Sequence, residues 1–171
     1  MYLEFLLLLS DYFKTLTKRL FIYELIIPAI IGVLIYCLLK NGAVVSSCAN
    51  FRNNSLTLLG VLVGFSITII TILTTGNSRN LEEIKNIKTK VKIGSQEASL
   101  FRLLLINFTY SVVIEIFLII VNLIYPLIAD NYRMRIEIKY IGFSLIVFLI
   151  VHVLLLTIRN LTDFYMIITK K

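Results

Sequence analysis

The residue with the clearest chemical potential is Glu115, a carboxylic acid in the middle of the apolar stretch 103–126. Asn107, Ser111, Glu115 and Asn122 follow one another at intervals of four, four and seven residues, which places them on one face of a helix. Because a polar face toward lipid is costly, we expect these side chains to point into the protein. Burial would favour a neutral carboxyl group unless water or a cation reaches it.

His152, the one histidine of the chain, also lies within an apolar stretch. A helical rise of 1.5 Å per residue places Glu115 roughly 18 Å and His152 roughly 9 Å from the inner boundary of their segments. We therefore expect no direct contact between them. Two interpretations of Glu115 remain open: it lines a polar pathway or water-filled gap, or it is a protonated carboxyl group hydrogen-bonded between helices.

These residues give little support for catalysis. Membrane hydrolases and transferases need clustered nucleophiles, paired carboxylates or metal ligands at one depth, and here one Glu and one His lie at different depths. The sequence has no paired CxxC motifs and no clustered His and Cys residues, which argues against zinc. We expect no enzymatic activity, no metal site and no cofactor.

The composition is that of a membrane protein, because 58% of the 171 residues are hydrophobic and only 16% are charged. Four apolar runs approach or exceed the ~20 residues that a helix needs to cross ~30 Å of hydrocarbon. These runs are 20–39, 56–75, 103–127 and 140–158. The pattern predicts an all-α, integral membrane four-helix bundle that occupies the chain as one domain.

The distribution of Lys and Arg predicts the orientation. One side of the membrane would carry the segment before the first run, the loop between the second and third runs, and the segment after the fourth run. These segments contain twelve Lys and Arg residues, with Arg159 counted in the last of them. The two loops on the other side contain five. Since positive residues favour the cytoplasmic side, both termini should be cytoplasmic. The net charge of +7 would face anionic inner-leaflet lipid or an acidic partner.

The N-terminal segment 1–19 is expected to remain on the protein and to form a helix. Its apolar residues recur at intervals of three and four, which predicts one apolar stripe: Tyr2, Leu6, Leu9, Phe13, Leu16 and Leu20. Two interpretations are open, an interfacial helix on the inner leaflet and an extension of the first span. Glu24, near the inner boundary, is expected to extend to water or to pair with Lys18 or Arg19.

Two cysteines occur, Cys37 near the outer end of the first run and Cys48 in the following loop. A disulfide between them requires that this face meet an oxidising compartment. Two free thiols are the alternative.

The second run carries a stripe of small residues on one face of the predicted helix, comprising Gly60, Gly64, Thr68 and Thr71. Small residues allow the backbone of another helix to approach closely. The stripe predicts either a homo-oligomer interface or packing within the chain, for which Gly32 offers a natural partner.

The loop 76–102 is the only soluble segment of any size. Asn77 or Ser78 is a candidate N-cap for a short helix that begins with acidic residues and ends with basic ones. The basic residues are Lys85, Lys88, Lys90 and Lys92. They predict docking of anionic lipid or of a cytoplasmic protein, while a simple topology signal is the alternative. Direct nucleic-acid binding is disfavoured because lipid phosphates would be nearer.

The run "LLGVLVGFSITIITILTT", the charged "GNSRNLEEIKNIKTK" and the third span beginning "LFRLLLINF" together resemble the small four-span membrane subunits of prokaryotic anti-phage defence systems, such as the Kiwa membrane subunit and transmembrane CRISPR accessory proteins. The resemblance implies a multi-pass protein of the prokaryotic inner membrane that oligomerises, senses a disturbance linked to infection and recruits a cytoplasmic effector. A pore-forming or membrane-perturbing effector is the alternative.

Overall fold

The computed structural model describes residues 2–42, 46–131 and 135–169. Its helices are α1 (Tyr2–Thr15), α2 (Lys18–Lys40), α3 (Ser46–Thr75), α4 (Arg79–Asn86), α5 (Leu100–Asn131) and α6 (Ile136–Thr169). A hairpin of β1 (Lys88–Ile93) and β2 (Gln96–Ser99) lies between α4 and α5.

Four of these helices, α2, α3, α5 and α6, are long and apolar enough to cross a membrane, which supports a multi-pass membrane protein. Three of the four extend several residues beyond the predicted apolar runs. The 34 residues of α6 would span about 51 Å, well beyond the ~30 Å of the hydrocarbon layer. A helix of this length that crosses a membrane would extend past the hydrocarbon layer.

The four long helices form a row more than a closed bundle, in the order α2, α6, α5, α3. The face of α3 that packs on α5 has buried residues at intervals of three, four and seven, the spacing of a left-handed helix pair: Ser55, Leu59, Ser66, Ile69 and Leu73. Extensive contact between α2 and α3 is absent from the described residues, so these helices form the two ends of the row.

Gly32 allows α2 to approach α6 closely. A Cβ atom at this position would lie 3.2 Å from Phe148 Cβ and 3.3 Å from the Ser144 carbonyl oxygen, tighter than an ordinary van der Waals contact. Gly32 therefore packs against the fourth span, and the prediction that it pairs with the small residues of the second span is wrong.

The N-terminal helix is separate from the first span. Thr17 has an extended backbone and its hydroxyl oxygen accepts a hydrogen bond from Leu20 N at 3.4 Å, which caps a new helix. The break at Leu16 and Thr17 contradicts a continuous extension of the first span. Helix α1 packs on α5 and β1, and the side chain of Tyr12 is fully buried there.

The connection between α3 and α5 is a folded unit, here called the connector unit (residues 79–99). Ser78 caps α4, since its hydroxyl oxygen accepts from Leu81 N at 3.4 Å. Leu81 and Ile84 pack into a core with residues of α3, α5 and α6. The side chain of Asn80 also donates to the carbonyl oxygens of Ile167 and Ile168, at 3.3 and 3.2 Å.

The prediction that the lysines after Lys85 continue this helix is wrong. Their segment forms β1, where Ile93 pairs with Gln96 across a two-residue turn whose Gly94 has a φ of +69°. Alternate residues of β1 face the protein, and Ile93 is buried. Lys88, Lys90 and Lys92 therefore share the outer face of the strand, here called the lysine face.

The elements that the charge count assigns to the cytoplasm lie at one end of the molecule, because α1 contacts β1 and α4 contacts the C-terminal part of α6. Arg159 was counted after the fourth span, but it lies within α6. When Arg159 is left out of the count, the predicted cytoplasmic side still carries more Lys and Arg residues than the other side.

This arrangement predicts that the connector unit is cytoplasmic. In a variant with Cys37 and Cys48 replaced by Ser, a cysteine at Lys90 should be protected from an impermeant maleimide in intact cells. A cysteine at Asn53, an exposed position at the other end of α3, should be labelled. Labelling at Lys90 before the membrane is permeabilised would contradict the orientation.

Candidate functional site

A carboxylate of the first span lies at the centre of a buried polar cluster. Glu24 occupies a π-helical turn, Ile22–Ile26, and its side chain is only 3% exposed. Tyr12 Oη donates to Glu24 Oε2 at 2.6 Å, and Arg159 Nη1 lies 2.6 Å from Glu24 Oε1. The pairing of Glu24 with Lys18 or Arg19 is therefore not formed, and its cation comes from the fourth span.

Glu24 and Arg159 form an enclosed ion pair, with side chains 3% and 13% exposed. Nε and Nη2 of Arg159 are buried without a hydrogen-bond partner among the described residues. Asp163, one turn further along α6, also interacts electrostatically with Arg159.

His152, on α6, connects the cluster to Tyr110 on α5. Its Nδ1 lies 2.6 Å from the Glu24 carbonyl oxygen, which can only accept, so Nδ1 carries the proton. Nε2 then accepts from Tyr110 Oη at 3.1 Å. The ring of Tyr110 stacks on Tyr12 with centroids 3.6 Å apart. These five residues, Tyr12, Glu24, Tyr110, His152 and Arg159, are here called the Glu24 cluster.

Tyr12 connects α1 to this cluster as a permanent donor. Burial raises the pKa of its phenol, and the hydrogen bond to Glu24 raises the pKa further. The hydroxyl therefore stays protonated at physiological pH. Tyr12 also belongs to the apolar core that contains Ile93 of the hairpin and Leu156 of α6. The Glu24 cluster and the connector unit consequently share one packed region.

Glu115 lies in a second polar region between α3, α5 and α6. Ser111 Oγ donates to Glu115 Oε1 at 2.9 Å, and Ser66 and Thr157 lie beside the same carboxyl group. These four residues are here called the Glu115 cluster. His152 has other partners, in agreement with the expectation that it does not contact Glu115.

The remaining polar residues of the third span are also buried. Asn107 is 7% exposed and lies 3.4 Å from the Thr15 hydroxyl, while Asn122 is 1% exposed and donates to the Leu118 carbonyl oxygen at 2.9 Å. The face that carries Asn107, Ser111, Glu115 and Asn122 therefore points into the protein. No described contact joins Asn122 to the Glu115 cluster.

The small-residue stripe of α3 faces outward. A Cβ atom at Gly60 or Gly64 would meet no heavy atom within 4 Å among the described residues. Thr68 and Thr71 are exposed, and their hydroxyls donate to carbonyl oxygens of their own helix. Intrachain packing of this stripe is therefore not found in the described part of the chain.

The basic residues occupy two surfaces. Lys85, on α4, lies over the Phe101 ring at 5.5 Å from its centroid, whereas the lysine face belongs to β1. Cys37 is exposed, and the side chain of Cys48 lies outside the described residues, so their disulfide stays a prediction.

Sequence reasoning missed the Glu24 cluster. Tyr12 and Tyr110 look like ordinary residues of apolar stripes, and Arg159 follows the strongest part of the fourth apolar run. The sequence feature that could have revealed this cluster is the apolar segment 164–168, which follows Arg159. It indicates that the helix continues beyond Arg159 and encloses its guanidinium group. An enclosed Arg requires a partner.

The chain shows no significant match to a protein-family model, a curated protein or a solved structure.

The ion pair should be strongly coupled. Glu24→Gln or Arg159→Met alone should each lower the free energy of unfolding by about 3–5 kcal/mol, because each leaves an uncompensated buried charge. The double variant should lose clearly less than the sum, as measured by reversible unfolding in mixed detergent.

The exposed ion pair of α4 provides the control. Arg79 and Glu83 are 3.3 Å apart with side chains 91% and 50% exposed, so Ala substitutions there should show a coupling below about 0.5 kcal/mol. Additive losses for Glu24 and Arg159 would show that the buried contact contributes no specific coupling.

Proposed function

We propose that this protein is a membrane-embedded sensor and anchor that presents the connector unit to a cytoplasmic partner. The observation that carries the proposal is the folded state of this unit. Leu81, Ile84 and Ile93 are buried against the long helices, while three lysines share one exposed face. A loop that served only as a topology signal would need no such packing.

The partner is proposed to carry an acidic surface. The lysine face presents three ammonium groups on alternate residues of one strand, and Arg102 is exposed at the start of α5. Such an array attracts anions and speeds association with an acidic protein. Anionic headgroups of the inner leaflet are the competing ligand at this position.

Sensing requires that a change in the membrane reach the connector unit. The Glu24 cluster joins α2 and α6 to α1 through Tyr12, and α1 packs on β1. A shift of the first span relative to the fourth would move Glu24 and so disturb the packing of α1. Only an element with two arrangements can transmit such a change, and α1 is the proposed element.

The proposed biological setting is anti-phage defence at the prokaryotic inner membrane. It is supported by the resemblance in length, four-span architecture and charged central loop. In that setting the partner would be a soluble effector that this chain recruits to the membrane.

Recruitment should depend on the lysine face. Replacing Lys88, Lys90 and Lys92 with Glu should abolish co-purification of the partner from native cells in mild detergent, because the array changes sign. The three lysine side chains are exposed, so the amount of this variant in the membrane should remain near that of the wild type.

Charge reversal of Lys14, Lys18 and Arg19 is the matched control, because these residues are exposed and equal in number. Co-purification should survive in this control at matched membrane level. Unchanged co-purification in the β1 variant would remove the docking proposal.

Homo-oligomerisation is proposed through the exposed stripe of α3. Gly60→Leu or Gly64→Leu adds bulk where the monomer has open space, so the chain should fold while crosslinked oligomers disappear. Ala29→Leu enlarges an exposed position of α2 and should leave the oligomer intact. An identical crosslinking pattern for all three variants would contradict this interface.

A further inference from the structure

An apolar groove runs along the exposed side of α2 where this helix meets α6, and it is here called the α2 groove. Its lining consists of apolar side chains, among them Phe21, Leu25, Ala29, Ile30, Val33 and Phe148. Its volume of about 530 Å³ lies within the roughly 300–1,000 Å³ that is usual for small-molecule sites. The part of an occupant that lies in this groove must therefore be apolar.

The α2 groove adjoins a second cavity at the start of the helix. The two cavities share Phe21, and the second is also lined by Leu16, Thr17 and Lys18. This second cavity lies at the break between α1 and α2, on the side that the charge count assigns to the cytoplasm. An occupant that extends through both cavities would thus have its apolar part along α2 and its other end at a basic residue.

Lys18 lies in line with the α2 groove. The residues that connect them follow one another at intervals of three, four and four, which places them on one face of the helix: Lys18, Phe21, Leu25 and Ala29. A rise of 1.5 Å per residue puts Ala29 roughly 17 Å from Lys18, about half of the ~30 Å hydrocarbon layer. The groove therefore extends below the cation to the depth of one leaflet, as a phospholipid chain does.

The ammonium group of Lys18 has no carboxylate partner among the described residues. Glu24, the acidic residue that follows it on α2, is enclosed and paired with Arg159. Asp11, on α1, pairs instead with Lys14 at 3.2 Å. Because Lys18 is exposed at the end of an apolar groove, an anion that carries a hydrocarbon chain would fit both features.

We infer that the α2 groove binds one anionic phospholipid of the inner leaflet, with its phosphate group at Lys18 and one acyl chain along Phe21, Leu25 and Ala29. A zwitterionic phospholipid would offer the same phosphate group together with an ammonium group, which weakens its attraction to Lys18. The site is separate from the lysine face, so it stands or falls independently of partner docking.

The chain contains no Trp, so a single introduced Trp can report which lipid lies beside it. Ile30→Trp places this reporter in the lining of the α2 groove, and Leu123→Trp places it at an exposed position of α5. The full chain is reconstituted in vesicles of equal parts phosphatidylcholine and phosphatidylglycerol, and one lipid at a time carries brominated chains that quench Trp fluorescence.

The quenching should show a preference for the anionic lipid only at the groove. In the Ile30→Trp protein, the apparent affinity for phosphatidylglycerol should exceed that for phosphatidylcholine about fivefold, the effect of one basic residue at an anionic surface. In the Leu123→Trp protein the two lipids should quench equally.

Variants of the Ile30→Trp protein assign the two parts of the site. Lys18→Gln should remove the preference, whereas Lys40→Gln, the same change at the other end of α2, should keep it. Ala29→Leu fills the groove and should also remove the preference, because the acyl chain is displaced. Cys37→Leu enlarges an exposed position of α2 that is absent from the groove lining and should have no effect.

Equal quenching by the two lipids in the Ile30→Trp protein would overturn the inference. An equal preference in the Leu123→Trp protein would do the same, because it would show a diffuse attraction to the net positive charge of the chain. Lys18 is exposed, so Lys18→Gln leaves the packing of the helices intact and decides even if Ala29→Leu does not fold. A preference that persists in Lys18→Gln would contradict the site.

Discussion

The contact between Glu24 and Arg159 is the constraint on which the arrangement of the helices depends. A charge that is removed from water must be compensated by a partner, and each of these residues is the other's nearest opposite charge. Because one belongs to the first span and the other to the last, the pair fixes their rotation and relative height. The close approach at Gly32 then allows the two helices to pack along their length.

The same carboxylate organises the end of the molecule where α1 and the connector unit lie. Its second oxygen accepts from Tyr12, and the backbone of the same π-helical turn accepts from His152. Apolar packing continues from Tyr12 to Ile93 of the hairpin. The exposed lysine face is thus carried by a structure whose position depends on the membrane helices, as a sensor that recruits a partner would require.

Much of this fold follows from local patterns in the sequence. Span length and hydropathy predict the four long helices, and the 3.6-residue period predicts that Ser111 and Glu115 face inward. The hairpin was missed because Leu81, Ile84, Lys88 and Val91 also fit helical spacing. The alternation in Lys88–Ile93, followed by Gly94 and Ser95, was the competing signal for a strand and a tight turn.

The parts that sequence did not predict are those set by distant partners. Near Glu24, Lys18 and Arg19 are obvious local cations, and nothing local indicates that Arg159 replaces them. The order of the helices is equally hidden, because every span is apolar around most of its surface. A stripe such as Gly60 and Gly64 predicts close packing but not whether the neighbour belongs to the same chain.

The most direct test of the account is hydrogen exchange of the detergent-solubilised protein, comparing the wild type with Tyr12→Phe. The substitution removes the hydroxyl that donates to Glu24 and keeps the aromatic ring. The account predicts faster exchange in Tyr2–Thr15 and Lys88–Ile93, whereas Tyr125→Phe, which removes a hydroxyl that donates to Lys139 O at 2.7 Å at the other end, should leave both segments unchanged. Wild-type exchange of both segments in Tyr12→Phe would contradict the proposal that the Glu24 cluster holds α1 and the hairpin in place.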